Sequence, residues 1–226
     1  EKSKSAIEKK IYNEFNIVSS IQGEIKYRPL PSPRIKISKL LIKDFLDNTK
    51  NLGKVEKVVL KIPFKKLINL KNINFDNINL RNAEIDFNLN KIKQYNFFFS
   101  KKFNSKNIKI SNGHIKLFDK KKLLGKINEI NLKFNSSNII DETTLTGKFL
   151  NDDISINLKD KKTTNPTKIF TIKFPSLKFR SSVIFSYLDT EETVQGNGTF
   201  YYNNSKLNLI FDWKDSLIKI KKGSIK

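Results

Sequence analysis

Apolar residues recur at every second position along most of this chain, and that period decides what it can fold into. Ile35 and Ile37 flank Lys36, Ile85 and Phe87 flank Asp86, and Phe170 and Ile172 flank Thr171. Side chains of a strand point alternately to its two faces, so this pattern gives each strand one apolar and one polar side. The alternation predicts about fourteen or fifteen short strands at roughly ten-residue intervals, the spacing of an all-β protein. A disordered chain would have no use for such a period, although apolar residues make up only 38% of the 226 positions.

Breaks in the period mark the organisation. Residues 1–14 carry a helical pattern instead: Ile7, Ile11 and Phe15 fall at i, i+4 and i+8 among lysines and glutamates. This predicts a short amphipathic helix packed on the end of a sheet, or one lying on a membrane surface. Alternation starts at Ile17 and runs to Tyr27 on one face. Pro29, Pro31 and Pro33 then each fix φ and remove a backbone donor, so this strip is neither helix nor central strand. The phase slips at Ser38-Lys39, as one extra residue in a β-bulge would cause, and again at Asp76-Asn77. Asp47-Asn48 and Gly53 mark a turn. Pro63 limits its strand to an edge, a bulge or a strand end, and Lys65–Leu70 suits one helical turn. Residues 90–106, with Phe97–Phe99, break the alternation as a short helix or packed loop and offer a sub-boundary. Asn112-Gly113 is the strongest hairpin signal. Two later stretches, around Gly147 and Gly198, share a glycine, a phenylalanine, an Asn/Asp turn and an alternating return strand. Repeat and chance similarity both fit them.

One-sided strands must bury their apolar faces. Two packed sheets, a closed barrel, or a long sheet folded into a trough would each do so, the last leaving room for an apolar ligand. Glycines on the apolar face (Gly23, Gly147, Gly196, Gly198) permit bends and favour a curved sheet.

The net charge is +22, yet only four of 44 basic residues are arginine. Readers of nucleic acid favour arginine forks, so lysine in excess points first to solvated faces and second to an anionic membrane surface. Tyr95 and Phe97–Phe99 are the only support for base stacking. No cysteine is present, so disulfides and thiolate metal sites are excluded. His114 has no second histidine for metal or relay chemistry and reads as a surface turn residue. Asp152-Asp153 read as turn residues rather than catalytic carboxylates. Lys120–Lys122 and Lys161-Lys162 read as solvated loop lysines, with anionic headgroup contact the alternative. No acid, base, nucleophile or metal set emerges, so neither an enzyme nor a cofactor is expected.

Several segments in order resemble a known family. Ile21-Gln-Gly-Glu-Ile-Lys-Tyr27, Leu30-Pro-Ser-Pro33-Arg-Ile-Lys-Ile37, Gly53 to Ile68, Ile73 to Leu80 and Ile108 to Asp119 are similar to the N-terminal region of the AsmA-like proteins of Gram-negative bacteria. The resemblance covers about residues 7 to 160, and Asn82-Ala83 stands where the family pattern has a proline. It implies a long, curved, mostly antiparallel sheet forming a groove or taco-like trough, after a short N-terminal amphipathic helix. Residues 15–226 would be a single groove domain, behind a membrane anchor that precedes this chain. The implied protein is periplasmic, anchored in the inner membrane, and conducts phospholipid toward the outer membrane. Its expected partners are phospholipid, the inner membrane and other envelope proteins, without nucleic acid. A groove would be lined by Ile25, Tyr27, Ile35, Ile37, Leu60, Ile62, Ile85, Phe87, Ile108 and Ile110, for each of which ordinary core is the alternative. A scaffold β protein of the envelope that carries no lipid is the competing function.

Overall fold

The computed structural model describes residues 2–15, 17–44, 47–63, 75, 77–91, 107–163, 166–187, 194–214 and 217–226. One helix, α1 (Lys2–Phe15), precedes fourteen strands. These are β1 (Ser19–Ile21), β2 (Ile25–Arg28), β3 (Arg34–Lys43), β4 (Asn51–Lys61), β5 (Asn77–Asn88), β6 (Asn107–Asp119) and β7 (Lys122–Ser136). There follow β8 (Ile140–Phe149), β9 (Asp152–Lys161), β10 (Thr167–Phe174), β11 (Phe179–Tyr187), β12 (Val194–Tyr202), β13 (Ser205–Lys214) and β14 (Leu217–Ile225). All belong to one open sheet ordered β1-β3-β4 and onward in sequence to β14, with β2 beside β1 on the same edge of β3. The ladders that join β1 through β5 and β8 through β14 are antiparallel, whereas β5 and β6 run parallel. The chain divides into two compact units, Glu1–Lys133 and Phe134–Lys226, so the expected sub-boundary at 90–106 falls inside the first.

In the first unit α1 forms where the helical stripe predicts, and Ile11 and Phe15 are buried. Glu8 and Glu14 fix it to the strands: Glu8 Oε1 accepts the Ile21 amide at 2.6 Å, and Glu14 Oε1 accepts the Phe75 amide at 2.8 Å. Each satisfies a backbone donor that the sheet leaves over.

A line of shared irregularity crosses this unit. Lys39, Asn82, Asn112 and Glu129 have φ of 54°, 52°, 53° and 52°, in the left-handed region. The β3–β4 and β4–β5 ladders skip Lys39, Glu56 and Asn82, and the β5–β6 ladder skips Asn82-Ala83 against Asn112-Gly113. Asn112 Nδ2 donates to Asn82 Oδ1 at 3.0 Å, and Asn82 Nδ2 to Glu56 Oε2 at 2.5 Å, joining three strands along the line. On either side of it the buried positions are three apart instead of two: Ile37 and Leu40, Val55 and Val58, Ile110 and Gly113, Ile127 and Ile130. An extra residue flips every later side chain, so the apolar set stays on one face only because neighbouring strands slip together.

This crease accounts for two departures from the sequence pattern. The alternation Ile17–Tyr27 is not one strand: it breaks into β1 and β2 at Gln22–Glu24, where the amides of Gln22 and Gly23 bond to the carbonyls of Lys39 and Ser38. Asn112-Gly113 is not a hairpin but the bulge inside β6; a Cβ on buried Gly113 would lie 2.9 Å from Ile110 Cγ2 and 3.3 Å from the Ala83 carbonyl oxygen. The hairpin between β6 and β7 instead turns at Lys120-Lys121.

In the second unit every described element is a strand of the sheet. One face carries the row Leu145, Ile156, Ile172, Ser181, Phe200, Leu207, Ile225 and the row Thr143, Leu158, Phe170, Val183, Gly198, Leu209, Gly223. The other face carries Thr144, Asn157, Thr171, Ser182, Thr199, Asn208 and Ser224 in a single row. Asn157 donates to Thr144 Oγ1 at 3.2 Å, and Thr199 to Asn208 Oδ1 at 3.1 Å. The alternation in the sequence is thus read out directly as two faces.

Smaller expectations shift by a residue or two. Gly53 lies within β4 and not in the preceding turn, which is built by Asp47 with Thr49 and Lys50. Asp152 and Asp153 open β9, opposite Phe149 and Lys148, while Leu150-Asn151 make the turn, both with positive φ. The Gly147 and Gly198 hairpins turn at Leu150-Asn151 and Asn203-Asn204, two positions out of step when the glycines are aligned. Pro63 follows the end of β4, and Leu89–Lys91 form a 3-10 turn. Lys65–Leu70, Phe97–Phe99, Tyr95 and the Asp76 slip lie outside the described residues.

Candidate ligand-binding faces

The ten residues expected to line a groove belong to the first unit, and register sorts them. Tyr27, Ile35, Leu60, Ile78 and Ile108 lie opposite one another in one row, and Ile25, Ile37, Val58, Leu80 and Ile110 in the next. Ile85 and Phe87 lie beyond the crease, opposite Ile115 and Leu117. Ile62 follows β4 and donates its amide to the Pro33 carbonyl at 2.9 Å. Ile37, Leu60, Ile62 and Ile110 are buried, Leu60 with 2% of its surface exposed. Ile25, Ile35, Ile85, Phe87 and Ile108 are half-buried, and Tyr27 at the edge is 54% exposed. The centre of this face is core.

The second unit differs. Ile156, Phe170, Ile172, Phe174, Phe200 and Leu209 on its apolar face are only half-buried, and Leu158 is 38% exposed. No second layer belongs to the described residues of this unit. Aromatic side chains cover part of the face themselves. Phe185 stands 6.2 Å from Phe211 and 6.1 Å from Trp213, and Phe174 stands 6.5 Å from Phe149 and 6.2 Å from Phe179. The Phe211 ring lies over Gly196, where a Cβ would come within 2.2 Å of its Cζ. Glycine at that position leaves a slot that the ring fills.

A second feature lies on the polar side of the first unit, and sequence reasoning missed it. Strands β2 to β6 present three rows there: Lys26, Lys36, Val59, Asn79, Lys109; Arg28, Arg34, Lys61, Asn77; and Ser38, Lys57, Arg81, Ser111. They enclose a hollow of 540 Å³ lined by seven cations and one carboxylate. That carboxylate, Glu24, pairs with Lys26 at 2.8 Å, which holds it below its ordinary range. Lys36, Lys57, Lys61, Arg81 and Lys109 meet no carboxylate among the described residues. Instead, like charges stand directly opposite: Lys26 and Lys36, Arg28 and Arg34, Arg34 and Lys61, Lys57 and Arg81. Such cross-strand pairs destabilise a sheet. Arg34 Nε is buried with no hydrogen-bond partner, while its Nη2 reaches the Leu30 carbonyl at 3.4 Å.

Away from the hollow, several strand lysines have carboxylate partners: Lys54 with Glu84 at 3.2 Å, Lys116 with Asp86 at 3.9 Å, Lys159 with Glu142 at 3.1 Å and Lys168 with Asp160 at 3.3 Å. Hydrogen bonds from Asn157 and Lys159 hold the Glu142 carboxyl below its ordinary range. Of the loop lysines, Lys120 and Lys121 make a turn, and Lys162 pairs with Asp141 at 2.7 Å. His114 is an interior residue of β6, half-buried, with Nδ1 3.1 Å from Asn128 Oδ1. Among the described residues no cluster of three or more His, Cys, Asp or Glu could hold a metal, and no helix is long and apolar enough to cross a membrane.

No family model matches the chain, and no curated protein or solved structure matches it significantly. The AsmA-like resemblance therefore stands on the residue pattern alone.

Proposed function

We propose that this chain binds the acyl chains of phospholipid on the apolar face of its second unit, as a non-enzymatic lipid-handling protein of the cell envelope. One observation carries the reading: on the apolar rows across β8–β13, around buried Leu145 and Val183, the side chains of Ile156, Phe170, Ile172, Phe200, Leu207 and Leu209 stay only half-buried where the described residues of the unit supply no second layer. Six strands at about 4.8 Å spacing give a strip roughly 24 Å wide. That exceeds half the hydrocarbon core of a bilayer, which is about 30 Å and two acyl chains deep, so one extended chain fits across it. Each methylene withdrawn from water contributes about 0.8 kcal/mol, so even partial coverage holds a lipid. The AsmA-like resemblance adds the expected setting, a periplasmic protein held at the inner membrane that passes phospholipid outward.

A photo-crosslinking amino acid placed at Phe170 or Phe200, on the apolar face, should yield lipid adducts by mass spectrometry. The same group at Thr171 or Thr199, on the polar face, should yield none. Equal adducts on both faces, or none at Phe170 and Phe200, overturn the proposal. The scaffold reading finds its support in β14, whose Leu217 and Ile225 are 77% and 80% exposed on a strand paired only to β13. A protein free of lipid after gentle purification favours it.

A further inference from the structure

We propose that the basic hollow on the polar side of β2–β6 is a binding site for a compact ligand bearing clustered phosphate groups. The site lies on the face opposite the apolar core of the first unit and shares no residue with the acyl-chain face, so it stands apart from that reading.

Three observations converge. The hollow holds seven cations and one carboxylate, and that carboxylate already serves Lys26. Lys54 and Lys116, on the same strands outside the hollow, sit opposite Glu84 and Asp86, whereas within it the sequence sets like charges opposite one another. Only a bound anion turns that arrangement from repulsive to attractive. Arg34 keeps a buried Nε–H without an acceptor at the rim, and a guanidinium donates in the fork geometry that fits a phosphate.

The shape narrows the class. Lys36, Lys57, Arg81 and Lys109 belong to four adjacent strands, so the charged floor spans roughly 14 Å at about 4.8 Å per strand. A 540 Å³ concavity of that width takes an oligophosphate or a phosphorylated headgroup. No aromatic side chain lines it, so the stacking platform that holds single-stranded nucleic acid is missing from this site. The clustered phosphates can come from a soluble oligophosphate or from a lipid headgroup.

The test uses the full chain at low salt, with inorganic tripolyphosphate as titrant in a calorimeter. The triple variant K57Q/R81Q/K109Q removes charge from the hollow, while K54Q/K116Q/K159Q removes the same net charge at lysines paired elsewhere. All three hollow residues are exposed, so the first variant should fold, as circular dichroism and a melting curve will verify. Saturable binding is expected, weakened at least about tenfold by the hollow variant and less than about twofold by the control. Flotation with phosphatidylcholine vesicles doped with phosphatidic acid then separates the sources. Flotation that needs the hollow assigns a headgroup, and flotation indifferent to it assigns a soluble ligand. Equal weakening by both variants overturns the proposal, as does the absence of saturable binding. Hollow-dependent binding of an oligothymidylate that tripolyphosphate does not displace also overturns it.

Discussion

Lys57→Glu should make the protein more stable while emptying its basic hollow. Lys57 on β4 stands directly opposite Arg81 on β5, with Ser38 on its other side and Lys36 on the diagonal. The substitution removes one like-charge cross-strand pair and creates an attractive one. Each change amounts to about 0.2–1 kcal/mol, so the expected gain is about 1 kcal/mol. For a chain of this size that raises the melting temperature by about 2–4 °C. Lys54→Glu is the mirror experiment. Lys54 lies opposite Glu84 at 3.2 Å, so the same substitution three residues away turns an ion pair into a repulsive one and should cost about as much as Lys57→Glu gains. Both residues are exposed, and both effects should largely vanish near 1 M salt, where the Debye length is about 3 Å. Denaturant titration of the two variants and the parent, at low and high salt, measures all of this. A Lys57→Glu protein no more stable than the parent at low salt would refute the reasoning, because the cations of the hollow would then be too far apart to repel.

Deleting Lys39 leaves Ile37, Leu40 and Ile42 in phase on the core face but leaves Glu56 of β4 with no residue to answer it, so β3 and β4 can keep their apolar pairs only around a one-sided bulge, and the denaturation midpoint should fall. Lys39→Gly, which keeps the length and suits φ of 54°, should be nearly neutral, and denaturation midpoints of the two distinguish register from side chain. Leu60→Ala, in the closed core, should cost about 2–5 kcal/mol, and Leu158→Ala on the open face well under half of that. Hydrogen bonds from Lys50 and Thr49 pull the Asp47 carboxyl from its ordinary value of 3.8 down to about 2. Its contribution to closing the β3–β4 turn is therefore complete above 3.8 and is lost as pH falls through about 2. Carbon NMR of the carboxyl should show that midpoint, and a titration near 3.8 would contradict the turn geometry.

Much of the fold could be read from local pattern, because strand faces depend only on parity. Ile35, Lys36 and Ile37 already show which side is core, and the slip at Ser38-Lys39 already shows the bulge. Asn112-Gly113 misled for a physical reason. Asn at positive φ suits a two-residue turn and a bulge equally well, and the choice is made by Asn82, thirty residues away, which accepts the Asn112 amide. The parallel pairing of β5 and β6 was equally out of reach, since the local period of a strand does not record the direction of its neighbour. The hollow stayed hidden because its cations are scattered from residue 26 to residue 109. Only register collects them.

The crease is what gives that register its meaning. Lys39, Glu56, Asn82 and Asn112 share one line, and three residues away from it on the same side lie Lys36, Val59, Asn79 and Lys109 in a single row. One step closer to the line come Ile37, Val58, Leu80 and Ile110, which face the core. Hollow and core are therefore adjacent registers of the same strands, and neither can shift without the other. A strand that missed its slip would keep one half in place and exchange lysine for isoleucine in the other. Its left-handed lysine and glutamate, Lys39 and Glu129, adopt a conformation costing roughly 1–2 kcal/mol each for an ordinary residue. The fold tolerates that strain because the alternative is to turn half of each creased strand inside out. A basic face on one side and a closed apolar face on the other are thus two results of a single alignment. The same alignment would allow lysines of the hollow to vary in number while the isoleucines behind them could not.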